Sequence, residues 1–146
     1  AKSLKEAIES FREQGKITEE TEKMIRVKDF LSFFDTSARK RMAESARCGK
    51  LYKEQPFVLG VPASELYEQK TEEWILVQGI IDVYFEEEDG LVVLDYKTDR
   101  VSDEKELVDK YHAQLDYYAK ALEQLTEKKV KEKLIYSFTL GKEIRL

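Results

Sequence analysis

The sequence predicts an α/β fold: a mixed β-sheet with flanking helices, one crossover helix and an N-terminal helical group. Three observations predict it. Residues 1–50 carry apolar side chains at helical spacings of three and four. Val77–Tyr84 and Leu91–Asp95 read as strands, and the polar turn Glu86–Gly90 between them makes a hairpin. A long amphipathic helix then leads into another strand, and a right-handed crossover parallel to the Asp95 strand is the simplest topology. The predicted order is α-α-α-β-β-β-α-β. It forms a single domain over residues 1–146, with 1–50 helical and 51–146 holding the sheet and its crossover helix.

A chain of 146 residues suits one moderate core. No apolar run approaches a membrane span, so no membrane partner is expected. The amphipathic, charged N-terminus does not read as a signal peptide. A single cysteine, Cys48, excludes an intramolecular disulfide and a four-cysteine metal site, and fits a reducing, cytoplasmic setting. Its predicted role is a half-buried small residue. The net charge of −5 argues against a free-standing tight DNA binder, because that affinity comes from neutralising phosphates. No phosphate-loop string is present, so ATP-driven work is not expected of these residues.

Taken in order, Ser3–Gln14 is the first helix. Leu4, Ala7, Ile8 and Phe11 form its stripe, Ser3 and Glu6 have capping-box spacing, and Gly15 ends it. Thr18 caps the second helix, and Val27–Phe34 continues or restarts it. Its phenylalanines Phe30, Phe33 and Phe34 read as core rather than as a base-stacking surface, since only Lys28 interleaves them. Asp35 or Thr36 caps the third helix, Ser37 to about Cys48. Its Arg39, Lys40, Arg41 and Arg47 form the most basic patch: a phosphate-tracking face, or a solvated face opposite acidic neighbours. Leu51–Leu59 is extended, with Pro56 favouring an edge position. Gly79 inside the next strand marks a bulge or a close approach. Ser102 is the expected cap of the long helix, which runs to Glu127 with Leu107, Val108, Tyr111, Leu115, Tyr118, Ala119, Leu122 and Leu125 apolar. His112, the lone histidine, has no partner at ligand spacing. Lys131–Leu140 is the last full strand, and Ile144–Leu146 begins a return strand.

The hairpin carries the chemistry. Asp95 and Lys97 point to one face and Tyr96 to the other. Asp82 and Asp95 each follow apolar residues, and carboxylates are rarely buried without a partner or a metal. Two adjacent carboxylates suit a hard divalent cation, and a neighbouring lysine suits a phosphoryl oxygen. On pattern alone a second reading stays open: a surface hairpin whose Asp95 and Lys97 simply leave the sheet.

Asp82 followed by Asp95-Tyr96-Lys97 resembles the core of the PD-(D/E)xK nuclease superfamily. The longer string GIIDVYFEEEDGLVVLDYKTD is similar to the C-terminal nuclease domain of the AddA subunit of bacterial AddAB helicase–nucleases, which is related to that of RecB. The resemblance implies a restriction-endonuclease-like fold and a metal-dependent DNA exonuclease, using Mg²⁺ or Mn²⁺, in double-strand break repair and recombination. It implies oxygen ligands from Glu54, which precedes a Pro-Phe pair at Pro56-Phe57, from Asp82 and Asp95, and from the Tyr96 backbone carbonyl. Lys97 is the implied catalytic lysine, and the Gln-x-x-x-Tyr pair Gln114 and Tyr118 supports it. The implied partners are single-stranded DNA delivered by a helicase and an AddB-like subunit, with ATP used only in the helicase part. As an isolated piece the chain is expected to be a monomer.

One departure stands out. Relatives carry a histidine after a Gly-Thr-x-x-His-like string well upstream of the glutamate, and this sequence has none. His112 does not match it. The expectation is a chain cut just inside the domain, folded but weak or inactive alone. The alternative function is a non-catalytic interaction or docking module of a DNA-repair assembly.

Overall fold

The computed structural model describes residues 2–24, 27–68 and 70–146, with the side chains of Lys2, Ser3, Leu4 and Met24 outside the description. The proposed Ser3–Glu6 capping contact and the Leu4 end of the first stripe therefore lie outside the described residues.

Four helices come first: α1 (Lys2–Glu13), α2 (Glu19–Met24), α3 (Val27–Phe34) and α4 (Ser37–Arg47). The chain continues through β1 (Leu51–Pro62), the short α5 (Ala63–Leu66), β2 (Trp74–Glu87), β3 (Gly90–Lys97), α6 (Glu104–Thr126), β4 (Val130–Ser137) and β5 (Lys142–Arg145). The five strands lie in sequence order in one sheet. All neighbours are antiparallel except β3 and β4, which α6 joins in parallel. The mixed sheet and crossover helix agree with the sequence reading. The sequence also allowed one helical turn at Ser64–Tyr67, which α5 matches within a residue, and β5 extends the return strand read at Ile144–Leu146.

Strand β3 explains the layering. Leu91 to Leu94 are all essentially inaccessible, an apolar run that needs cover on both faces. Leu91 and Val93 pack with Leu107, Leu115 and Leu122 of α6. Val92 and Leu94 pack with Phe33 of α3 and Ala38 and Met42 of α4. Each fully buried side chain of this size contributes about 1.5–3 kcal/mol, so β3 is the strand the domain can least lose. The alternation continues past the core: Asp95 falls on the α6 face, and Tyr96 turns to α3, its ring edge-on to Phe33 at 5.5 Å.

Local chemistry sets the element ends. Thr36 caps α4 by accepting the Arg39 N–H at 3.2 Å. Glu143 of β5 accepts the neighbouring Ala38 N–H at 2.9 Å, placing a carboxylate at the helix's positive end. The cap of α6 is Asp103, not Ser102. Asp103 accepts the Glu106 N–H and Glu106 reaches back to the Ser102 N–H, both at 3.0 Å, so Ser102 takes part through its backbone only. Gly79 is a close-approach glycine: a Cβ there would lie 3.0 Å from the Phe57 ring. Gly90 has φ +145°, and a Cβ would lie 2.7 Å from the Lys129 carbonyl, so the β2–β3 turn requires glycine.

Three packing expectations are corrected. Only Phe33 of the α3 phenylalanines is buried; Phe30 and Phe34 remain exposed because α3 rests on the sheet by one narrow edge. Cys48 is exposed, since it lies at the C-cap where α4 has already left the sheet. Leu125 is exposed at the last turn of α6.

Candidate functional site

The site forms where the sheet opens. The β2–β3 register runs from Glu87 opposite Gly90 to Val83 opposite Leu94 and then stops. Asp82 is the next residue on β2. Its Oδ2 accepts the Tyr96 N–H at 2.9 Å, so a carboxylate replaces the lost strand partner and holds the opening. The carboxylate is thereby brought beside Asp95 at the end of β3.

Asp95 is only 2% exposed. Burial pushes its carboxyl up to about 6; the Lys97 ammonium pulls it down and the Asp82 carboxylate raises it further. Lys97 Nζ lies 2.6 Å from Asp95 Oδ2. The contact is an ion pair without hydrogen-bond alignment, so this buried oxygen has no aligned donor. The oxygen meets the ammonium alone and keeps acceptor capacity for a further partner.

Lys97 is held from three sides. Its Nζ donates to Gln114 Oε1 at 3.0 Å, pairs with Asp95, and lies 3.9 Å from the centre of the Tyr111 ring. The Tyr111 hydroxyl donates to Asp99 at 2.9 Å and 3.0 Å, fixing the ring beneath the ammonium. Sequence reasoning singled out Gln114 and treated Tyr111 as an apolar helix position. The available signal was the spacing of Tyr111, Gln114 and Tyr118, at intervals of three and four on one face of α6. Tyr118 is buried against Phe57, ring centres 5.4 Å apart and edge to face. Burial first, then the Asp95 and Asp82 charges, pushes its hydroxyl up to about 12.

Glu54 stands opposite Asp82 in the β1–β2 register, between the pairs Lys53–Val83 and Gln55–Ile81. It has φ +51°, one of two non-glycine residues in the left-handed region among the described residues. That conformation costs about 1–3 kcal/mol and concentrates at functional sites. The side chain is exposed and lines the same cleft as Asp82. The structure thus brings Asp82, Asp95, Lys97, Gln114 and Tyr118 together and leaves Glu54 at the rim. Among the described residues, no three acidic, histidine or cysteine side chains are gathered at metal-binding distance. At Tyr96 the group seen engaged is the N–H, not the carbonyl.

The other sequence candidates lie elsewhere. His112 is exposed, its Nδ1 4.0 Å from Asp116. Of the basic patch, Arg41 donates to Glu87 at 2.6 Å and Glu132 at 2.7 Å, and Arg47 pairs with Glu44 at 2.9 Å. The reading of a helix face opposite acidic neighbours therefore holds for these two. No described helix is long and apolar enough to cross a membrane.

Comparison with known proteins agrees with this arrangement. The chain is 39% identical to an ATP-dependent helicase/nuclease subunit from Lachnoclostridium phytofermentans, across 99% of this chain and 13% of that protein. Its identity is 40% to the protein of the same name from Clostridium botulinum strain Loch Maree, across 98% of this chain and 11% of the relative. It is 43% to that of Thermoanaerobacter sp. strain X514, across 94% and 11%. The chain therefore spans only 11–13% of the length of these relatives. The family model described as the PD-(D/E)XK nuclease superfamily matches residues 2–144. A match of that extent runs from the start of α1 into β5: the chain belongs to the PD-(D/E)XK nuclease superfamily.

Proposed function

We propose that this chain is the nuclease part of a larger helicase–nuclease and hydrolyses DNA phosphodiester bonds with a divalent cation. The observation that carries the reading is Asp95: a buried carboxylate beside Asp82 and Lys97, with one oxygen lacking an aligned donor.

The donor set fits a hard cation, Mg²⁺ or Mn²⁺, which takes oxygen ligands. Asp82 and Asp95 would hold it, with Glu54 turning in from the rim and the Tyr96 carbonyl completing the protein's share. When bound, the cation polarises the phosphoryl oxygen and lowers the pKa of a bound water. The chain's own residues do the rest. Lys97 orients the attacking water and stabilises charge growing on the scissile phosphate. Gln114 and the Tyr111 ring hold the ammonium in place, so little reorganisation is needed during reaction. Tyr118, a neutral phenol, can donate a hydrogen bond to the phosphate or to the ligand shell.

The wider assignment follows the relatives, which are named as ATP-dependent helicase/nuclease subunits. A helicase would use ATP outside these residues and deliver single-stranded DNA, an AddB-like subunit would complete the assembly, and the work would serve break repair and recombination in the cytoplasm. The net charge of −5 supports delivery rather than unaided capture. The test is titration calorimetry with Mn²⁺, paired with cleavage of an end-labelled single strand. Binding should be lost in Asp82→Ala and Asp95→Ala. Unchanged binding in both would leave the cation site elsewhere and favour a docking module over a nuclease.

A further inference from the structure

A cleft of about 850 Å³ lies on the α3–α4 side of the sheet and ends at Asp82 and Glu54. Its wall includes Phe34, Arg39, Lys53 and Tyr96. The Phe34 ring is 43% exposed, an unusual place for a phenylalanine whose neighbour Phe33 is buried at 8%. Arg39 lies over that ring, Cζ 5.1 Å from its centre. Burial and then the Asp82 charge raise the pKa of the Tyr96 hydroxyl, and the Arg39 charge opposes them. Among the described residues neither Arg39 nor Lys53 has a carboxylate within ion-pair distance, whereas Arg41 and Arg47 on the same helix are both paired. In a chain of net charge −5, the cleft sets two cations and an exposed ring along its wall and keeps its two carboxylates, Asp82 and Glu54, at its end.

We propose that this cleft is a nucleotide subsite for the single strand, resting on the nuclease reading above: Phe34 stacks one base, and Arg39 and Lys53 hold the adjoining phosphates. An aromatic ring offers every base the same stacking surface, so the subsite grips without reading sequence. Arg39 serves twice, as a plane against the ring and as a fork for phosphate oxygens. Because the cleft ends at Asp82 and Glu54, a strand anchored here meets the site from its Asp82 side. The subsite is thus a positioning device that sets where the strand is cut relative to the gripped base.

The test separates grip from chemistry. Anisotropy of a labelled oligothymidylate is measured with this chain in EDTA, where nothing is cut. Phe34→Ala and Phe34→Leu should each weaken binding about 5-fold or more, and Phe34→Trp should preserve it, as expected for loss or retention of one stacked base. Arg39→Gln should lower the slope of log affinity against log salt by about 0.7, one phosphate contact on a single strand. Lys40→Gln, an exposed charge outside the cleft, should leave the affinity within about twofold and the slope within the error of the parent's. Phe34→Leu keeps bulk and fold, so its loss reports the aromatic face. Unchanged binding in Phe34→Leu and Arg39→Gln, no binding by the parent chain, or equal binding of polyglutamate would each overturn the proposal. Intact, Phe34-dependent binding with no cleavage on adding Mg²⁺ would instead count against the nuclease reading alone.

Discussion

Two charged clusters sit at opposite ends of the same central strands, and they are built on opposite principles. At the hairpin end, Arg41, Lys131 and Arg145 meet Glu87, Glu132 and Asp89. Both Glu87 oxygens and both Glu132 oxygens have a cationic donor, at 2.6 Å to 2.8 Å. At the open end, Lys97 pairs with Asp95 while Asp82, among the described residues, accepts only the Tyr96 N–H, and a buried Asp95 oxygen has no aligned donor. The first cluster is balanced in charge and saturated in hydrogen bonds; the second is neither. Charge at an α/β sheet therefore has two meanings, and saturation tells them apart. A saturated network fixes α4, β2 and β4 together, whereas an unsaturated one holds binding capacity in reserve at a cost to stability.

The comparison is broken most sharply at Lys97. Lys97→Ala should reduce cleavage about 100-fold or more, in line with removing one electrostatic stabiliser, while the sheet stays intact and cation binding persists. Single-turnover cleavage with Mg²⁺, alongside circular dichroism, reads both. Equal rates for parent and variant would show that the open cluster owes nothing to its lysine.

The counterpart at the saturated end is Arg41→Ala. It takes one of two cationic partners from each of Glu87 and Glu132, leaving Lys131 and Arg145, and Arg41 is the partner that holds both pKa values low chiefly through its hydrogen bonds. Because Arg41 is partly exposed, the expected loss is about 2 kcal/mol, below the figure for a fully buried pair. Urea unfolding measures it, and Mn²⁺ affinity should not change. A loss of cation binding without a loss of stability would exchange the two clusters' roles.

The same network predicts the acid limb of stability. Glu87 and Glu132 titrate below the ordinary glutamate value in the folded chain. Their contribution is therefore present above about pH 4.3 and lost as pH falls through the depressed folded values. Thermal unfolding between about pH 3 and pH 5 should show a steep limb in the parent and a shallower one in Arg41→Ala. Parallel limbs would mean that other carboxylates control acid unfolding.

What could be read from the sequence divides along the same line. The period-two pattern put Asp95 and Lys97 on one face and Tyr96 on the other, and the structure keeps that alternation to the end of β3. That Gln114 supports Lys97 was implied only by the family resemblance, and the structure shows the two in contact. Features set by three-dimensional departures from regularity stayed hidden. Glu54's left-handed backbone and the break in β2–β3 pairing at Asp82 have no local sequence signature. Asp103 took the place of Ser102 as the α6 cap because its carboxylate accepts the Glu106 N–H, while Glu106 engages the backbone N–H of Ser102. The exposure of Phe34 depends on how α3 tilts over the sheet, which helical periodicity does not encode.

The smallest expected effect is the one that tests reserve directly. Asp95→Asn keeps the shape of the buried side chain and removes its charge. In the metal-free chain at neutral pH, the parent carries a buried carboxylate beside Asp82 with an unaligned oxygen. Neutralising it relieves desolvation and repulsion but takes from Lys97 its ionic partner. Lys97 is 14% exposed and keeps Gln114 and the Tyr111 ring, so its own loss is partly covered. The balance favours the amide by about 1 kcal/mol, a modest net of terms each worth several. Melting in EDTA should therefore rise by a few degrees, on the order of 3 °C for a domain of this size. Adding Mn²⁺ should reverse the order, because only the carboxylate gains from the cation. A variant less stable than the parent in EDTA would mean that the Asp95–Lys97 pair holds the fold together as the hairpin-end network does, and the contrast between the two ends would vanish.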